Sequence, residues 1–232
     1  MNTVIFGANG PTGRLLVEQS LLAGHTVVAA TRRPDDFPAQ PHPRLTVAKV
    51  DVLDAPQVTA VLEGADAVLS SLGVPYGNKL ITTYSAGTAN IVAGMKANAV
   101  RRLVATSSSA TDPAVRFKNS GGGALLEALK PLVIFGFGRT TYADMRRMEA
   151  VISGSGLDWT IVRPSGLFDT DAASDYRVAE NHVRGAFTSR LDLARFMVAQ
   201  LESGEWITRN AAIATIEGTP KVLDFFRSQA LK

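Results

Sequence analysis

The 232-residue chain carries 24 basic and 21 acidic residues for a net charge of +3, and is 46% hydrophobic and 19% charged, an ordinary globular composition that excludes disordered and low-complexity architectures. It contains no cysteine, which excludes disulfides, thiolate zinc sites and cysteine nucleophiles, and its three scattered histidines, His25, His42 and His182, argue against a metal centre. The arginines stand in separated pairs, Arg32-Arg33, Arg101-Arg102 and Arg146-Arg147, which suits discrete anion sites and not a nucleic-acid track.

Met1-Asn2-Thr3 runs directly into the apolar strand Val4-Ile5-Phe6, and no apolar stretch approaches the roughly 18 residues needed to cross a bilayer. The expectation is a cytoplasmic protein with no membrane partner. After a glycine turn, Thr12 to Ala23 places Leu15, Leu16, Gln19, Leu22 and Ala23 at helical spacing, with Gly24 as the stop. Thr26 to Ala30 reads as a second strand. Pro34 to Pro43, with four prolines, reads as a loop that cannot be helical. Leu45 to Val50 is strand three, Pro56 to Glu63 a short helix and Ala67 to Ser71 strand four.

Leu80 to Asn98 has helical periodicity, Leu103 to Thr106 is strand five, and Thr140 to Ser153 is a helix closed by Gly154 and Gly156 before strand six at Trp159 to Val162. The stretch from Thr111 to Arg139 is too long for a plain connector and suggests a short helix at Ala124 to Leu129, near the site. Leu191 to Leu201 reads as a helix, Ala211 to Ile216 as a strand and Lys221 to Ala230 as a closing helix. The β-α-β alternation predicts an α/β, Rossmann-type, doubly wound parallel sheet. No internal repeat or linker divides the chain. We expect a single domain over 1–232, with a small substrate-side elaboration over about 164–232.

Gly7-Ala8-Asn9-Gly10-Pro11-Thr12-Gly13 is Gly-x-x-Gly-x-x-Gly between a strand and a helix, the context that makes this motif informative. The first glycine permits the tight turn, the second lets backbone approach a pyrophosphate, and the third lets helix and strand pack closely. Anions then sit on the helix N-terminus. Asn9, Pro11 and Thr12 belong to the same cradle, and proline in the first turn sacrifices no needed donor. The alternative is an ordinary glycine-rich turn without a ligand.

The second strand ends in Thr31-Arg32-Arg33. A carboxylate at this position would hold a ribose 2′-hydroxyl, whereas arginine accommodates a 2′-phosphate. The pair therefore argues for NADP(H), with NAD(H) as the other possible cofactor, unless Asp35 and Asp36 neutralise it as surface charge. Asp51 and Val52, after strand three, are placed to reach the adenine, and Leu72-Gly73, after strand four, would let the cofactor pass close to the backbone.

The glycine spacing, Thr31-Arg32-Arg33, Asp51-Val52-Leu53-Asp54, Thr106-Ser107-Ser108-Ser109 and Ser155-Gly156-Leu157-Asp158-Trp159-Thr160-Ile161-Val162-Arg163-Pro164 resemble the atypical short-chain dehydrogenase/reductase group. Within it the sequence is most similar to the NAD(P)H-binding flavin reductase and biliverdin reductase B type, in the neighbourhood of NmrA-like proteins. The resemblance runs from Val4 to about Ala214. It implies a nicotinamide near Ser107 and Ser108, with Pro164 and Ser165 on its other side. Those segments follow strands five and six, where open α/β sheets bind ligands. The serines could equally satisfy their own backbone.

The usual Tyr-x-x-x-Lys pair is replaced by Tyr142-Ala-Asp-Met-Arg146. Arginine could supply positive charge to the phenol across one helical turn, or Tyr142 could be an ordinary first-turn tyrosine. The sequence thus points to an NADPH-dependent reductase that hands hydride to a small conjugated acceptor such as a flavin, a bilin-like tetrapyrrole or a quinone, as monomer or homodimer. The alternatives are a redox-sensing regulator that binds NADP(H) without turnover, and a sugar-nucleotide epimerase or dehydratase.

NADPH is expected to bind roughly tenfold to a hundredfold more tightly than NADH, the yield of one engaged arginine–phosphate contact. Titration of both cofactors into the wild type and into the Arg32→Ala/Arg33→Ala double variant checks this. The preference should shrink as salt rises, and the double variant should weaken NADPH while barely changing NADH.

Overall fold

The computed structural model describes residues 1–38, 41–74, 80–112, 114, 123, 127–128, 136, 138–222 and 225. Its framework is β1 (Asn2–Phe6), α1 (Pro11–Leu22), β2 (Thr26–Thr31), β3 (Leu45–Lys49), α2 (Ala55–Val61), β4 (Ala67–Ser70), α3 (Thr83–Ala97), β5 (Arg102–Thr106), α4 (Arg139–Ser153), β6 (Asp158–Pro164), β7 (Gly166–Phe168), β8 (Tyr176–Glu180), β9 (Phe187–Ser189), α5 (Arg190–Ala199) and β10 (Arg209–Thr215). Eight strands form one sheet in the order β3-β2-β1-β4-β5-β6-β10-β8. Every pairing is parallel except that of β8 with β10. This is the doubly wound, Rossmann-type sheet that the β-α-β alternation requires.

Alternation along β1 shows how the sheet is buried on both faces. Val4 and Phe6 pack with Val68, Leu103 and Ile161 beneath Val58 of α2, Ile91 and Met95 of α3, and Met148 and Ile152 of α4. Ile5 points the other way, with Leu69, Val104, Val162 and Ile213, against Leu16 of α1 and Leu193, Phe196 and Met197 of α5. Successive strand residues face opposite sides, so a parallel strand covered by helices on both faces reads as an unbroken apolar run.

Helix starts follow local chemistry. Asp54 caps α2, its carboxylate accepting from the Gln57 N–H at 3.0 Å, and Ser189 caps α5 by accepting from the N–H groups of Leu191 and Asp192. The N-terminus of α3 is capped from another helix. Asp144 of α4, fully buried, accepts from the Tyr84 N–H at 2.9 Å, from the Ser85 N–H at 3.3 Å and from the Ser85 hydroxyl, while Arg147 donates to it at 3.0 Å.

Two readings need correction. Pro34–Asp36 forms a 3₁₀ turn, with the Phe37 N–H donating to the Pro34 carbonyl at 3.0 Å, because proline is well placed at the start of a turn. The region between β6 and α5 also holds three strands that periodicity does not reveal. β7 and β9 are three residues each and pair with one another, and β8 is a half-exposed edge strand. The expected helices at 124–129 and 221–230 fall largely outside the described residues. Among the described residues no helix is long and apolar enough to cross a membrane.

His25, 3% exposed at the head of β2, has its pKa pushed below the ordinary 6.5 by burial, by the N-terminal ammonium and by Arg44, against an opposing pull from Glu202. The folded protein favours its neutral form. The unfolded chain therefore binds the extra proton, and the His25 contribution, complete above 6.5, is lost as pH falls from there toward the lowered folded value. Urea unfolding between pH 7 and pH 5 should show a shallower loss of stability in His25→Gln than in the wild type.

Candidate functional site

Strand register assembles the site. Phe6 stands opposite Ala30 on one side and Ser70 on the other, Ser70 is opposite Ala105, and Thr106 is opposite Val162. The residues that follow these positions emerge along one edge of the sheet. Arg32, Gly7, Leu72, Ser107 and Pro164 are thereby brought to the same carboxyl-end rim. Asp51 and Val52 join them after β3, whose Lys49 is opposite Thr31.

The three glycines of the turn have different physical reasons. Gly7 has φ +76° and a Cβ there would lie 2.2 Å from the Ser71 carbonyl oxygen; a Cβ on Gly13 would lie 2.1 Å from the Gly7 oxygen and 2.8 Å from the Ala8 Cα. The fold itself demands glycine at both. Gly10 has an ordinary φ of −73°, and its Cβ would meet nothing closer than the Gly7 oxygen at 3.3 Å. A side chain there would press mildly on that oxygen, so the fold requires glycine less strictly at this position than at Gly7 and Gly13.

The end of α1 suits an anion. Gly10 at its N-cap offers no side-chain acceptor and the first turn contains no acid, leaving the N–H groups and the positive dipole end uncompensated. Arg14 adds a cation where the helix dipole disfavours one. Its guanidinium donates to the Asn9 side-chain oxygen at 2.8 Å and to the Asn9 carbonyl at 3.0 Å, which pins the cradle. Arg14 lies just outside the glycine motif, and its sequence signal is a basic residue in a helical first turn.

At the end of β2, Arg33 forms an exposed ion pair with Asp36 at 3.2 Å, the side chains 77% and 55% exposed. Such a pair is worth little in water and yields readily to a phosphate. Arg32 is exposed and forms no ion pair among the described residues. One carboxylate oxygen of Asp51 accepts from the Leu53 N–H at 3.0 Å, and the Val52 carbonyl is held by Asn90 at 3.0 Å. Leu72 lies beside the glycine turn, its nitrogen 3.1 Å from the position of a Gly7 Cβ. Gly73 is open to solvent.

Beneath the ends of β5 and β6 lies a buried polar cluster that motif spacing does not reveal. Glu149 of α4 and Arg163 of β6 form a two-pronged ion pair at 2.9 and 2.7 Å, with side chains only 11% and 8% exposed. The Ser107 hydroxyl donates to Glu149 at 2.7 Å, and the Thr111 hydroxyl lies at the same distance. Ser107 therefore spends its proton inside the protein. Ser108 accepts from the Ala110 N–H at 3.2 Å, capping the short turn Ser109–Thr111, and keeps its own proton. Pro164 is buried in β6, and the Ser165 hydroxyl donates to the Gly185 carbonyl at 2.7 Å.

Tyr142 is 7% exposed and packs with Ala110 and Met145. Arg146, one turn on, donates to the carbonyls of Thr111 and Ala110 at 3.2 and 3.1 Å. Its guanidinium is anchored to the loop after β5. Among the described residues no cluster of His, Cys, Asp or Glu could hold a metal ion.

Residues 7–204 match the model of a family described as NAD(P)H-binding. A Bacillus subtilis protein named as an uncharacterised sugar epimerase, YhfK, is 26% identical over 97% of this chain and 98% of its own. An uncharacterised chloroplastic protein of Arabidopsis thaliana is 31% identical over 70% of this chain, which spans 58% of that protein's length. A short-chain dehydrogenase/reductase from Veillonella parvula, solved in complex with NADP, superposes with a TM-score of 0.74 at 17% identity, over 94% of this chain and 95% of that one.

The glycines give a test. Gly10→Val should fold with a Tm near the wild type yet bind NADPH roughly a hundredfold more weakly or worse, because its side chain takes the pyrophosphate's space. Gly13→Val should fail to fold or melt far lower, because its Cβ collides with backbone. Thermal melts and cofactor titration on both variants check this. A Gly10→Val protein that retains full NADPH affinity removes the ligand from this turn.

Proposed function

Because the chain belongs to the NAD(P)H-binding family that its residues 7–204 match, we propose that it is an NADPH-dependent reductase that passes hydride to a planar conjugated acceptor: a flavin, a bilin-like tetrapyrrole or a quinone. The observation that carries this reading is the glycine cradle, open at Gly10 over an uncapped, acid-free helix N-terminus. The dinucleotide, when bound, supplies the hydride. Gly7, Asn9, Gly10, Pro11, Thr12 and Gly13 hold its pyrophosphate. Arg32 and Arg33 take the 2′-phosphate, Arg33 exchanging its exposed pair with Asp36 for a charge-assisted contact. Asp51 and Val52 border the adenine, and Leu72 and Gly73 line the path between the two ends.

At the reacting end Ser107, Ser108, Pro164 and Ser165 frame the nicotinamide. With the Ser107 proton committed to Glu149, Ser108 is the hydroxyl of this pair that can donate to an acceptor. Tyr142 is buried and Arg146 is tied to two carbonyls, so among the described residues there is no lysine-activated, substrate-facing phenol of the kind that carbonyl reduction and epimerisation use. A conjugated acceptor, which can take its proton from water, fits this site better. The name of the Bacillus relative favours a second reading, a sugar-nucleotide epimerase, in which Tyr142 acts as acid and base.

NADPH consumption measured against flavins, quinones and bilins separates these. Steady oxidation with one class of acceptor, and less than about a tenfold loss of kcat in Tyr142→Phe, is the expected outcome. A Tyr142→Phe loss of roughly a thousandfold, in the middle of the range for acid–base catalysis, overturns it in favour of proton chemistry at the phenol. Tight NADPH binding with no turnover points to a sensor.

A further inference from the structure

We propose that Arg177, Arg184 and Lys221 form an anion subsite for the second substrate, holding a phosphate or carboxylate arm while the conjugated ring lies at the nicotinamide end. The inference rests on the reductase reading for the nature of the ring. It goes beyond it in assigning a binding site to residues outside the cofactor cradle.

The three side chains line a cavity of about 530 Å³ together with Phe187, Thr215 and Thr219, a size typical of small-molecule sites. The cavity lies at the carboxyl end of β10. It shares a wall with the nicotinamide-lining segment, because the Ser165 hydroxyl bonds to Gly185, itself a lining residue. Ala214 is the meeting point of its two arginines. Arg177 of β8 stands directly opposite Ala214 in the antiparallel pair, which puts both side chains on one face of the sheet. On that face Gly185 lies down so closely that a Cβ would sit 2.2 Å from the Ala214 Cβ. The close approach brings its neighbour Arg184 over the same residue.

Among the described residues these charges are left unanswered. None of the described residues that line the cavity is a carboxylate; Asp175 and Glu217 flank it in sequence. None of the three cationic side chains makes an ion pair or hydrogen bond among the described residues. Arg163 and Arg190, in the same C-terminal part, are both paired, at 2.7 Å to Glu149 and at 2.7 Å to Asp169. Like charges gathered around one cavity repel, and an anion entering it reverses the sign of that interaction.

The experiment titrates matched pairs into the protein saturated with NADP⁺: FMN against riboflavin, and biliverdin against its dimethyl ester, followed by flavin fluorescence or bilin absorbance. The charged member of at least one pair should bind roughly tenfold more tightly, with the advantage shrinking as salt rises. Arg177→Ala/Arg184→Ala should abolish that advantage while leaving NADP⁺ affinity unchanged, and Arg177→Lys/Arg184→Lys should restore part of it. Which pair responds tells phosphate from carboxylate. Equal affinities within both pairs, or an alanine variant that loses charged and neutral members alike, overturns the subsite. If the charge advantage holds but NADPH is never oxidised, the subsite stands and the reductase reading falls.

Discussion

The close approach of α1 to the end of β1 is the constraint on which the site depends. At Gly13 the helix comes so near the strand that one added carbon would lie 2.1 Å from the Gly7 oxygen, and at Gly7 the turn presses equally hard on Ser71. Helix, first strand and fourth strand are thereby locked in a geometry that aims the helix N-terminus across the sheet rim. The free N–H groups and the dipole then act at the place where the parallel strands end. Gly10 belongs to this arrangement under a milder constraint, its Cβ position lying 3.3 Å from the Gly7 oxygen.

Buried carboxylates organise the rest of the rim. Asp144 joins α4 to the start of α3, and Glu149 gathers Ser107, Thr111 and Arg163 into one cluster. Asp192 at the head of α5 accepts from the Ser174 N–H and hydroxyl at 2.9 Å and from Thr215 at 2.7 Å. Each uses the protein's hydrogen-bond donors to repay the desolvation of its charge. Arg102 does the converse at the far end of the sheet. Burial pulls its pKa down to about 10, with Asp158 opposing, and it donates to the Gln200 carbonyl at the end of α5 at 2.9 and 2.6 Å, where the helix dipole is negative. Among the described residues, the cationic side chains of the cradle rim and of the C-terminal cavity stand outside this network.

That distribution gives the small net charge its meaning. An excess of three positive charges over 232 residues is slight, but the open helix end, Arg14, Arg32 and Arg33 stand on one rim. Arg177, Arg184 and Lys221 stand beyond β6. On the proposed reading, these two anion-attracting regions, on either side of the serines after β5 and β6, bring a dinucleotide and a second, charged substrate together.

The order of the first six strands, the glycine cradle, the arginine pair after β2 and the strand-end serines were all legible in the sequence, because each rests on local physics: periodicity of two or 3.6, turn chemistry and the spacing between neighbouring elements. The strands between β6 and α5 were not, since three-residue pairs and a half-exposed edge strand carry too few residues to show a period. Nor could the sequence reveal that Ser107 gives its proton to Glu149, that Arg146 is tied to backbone carbonyls, or that Arg177 and Arg184 line one cavity with Ala214. These relations join residues far apart in the chain. Their existence depends on how the helices and strands settle against one another, and that is decided by packing in three dimensions.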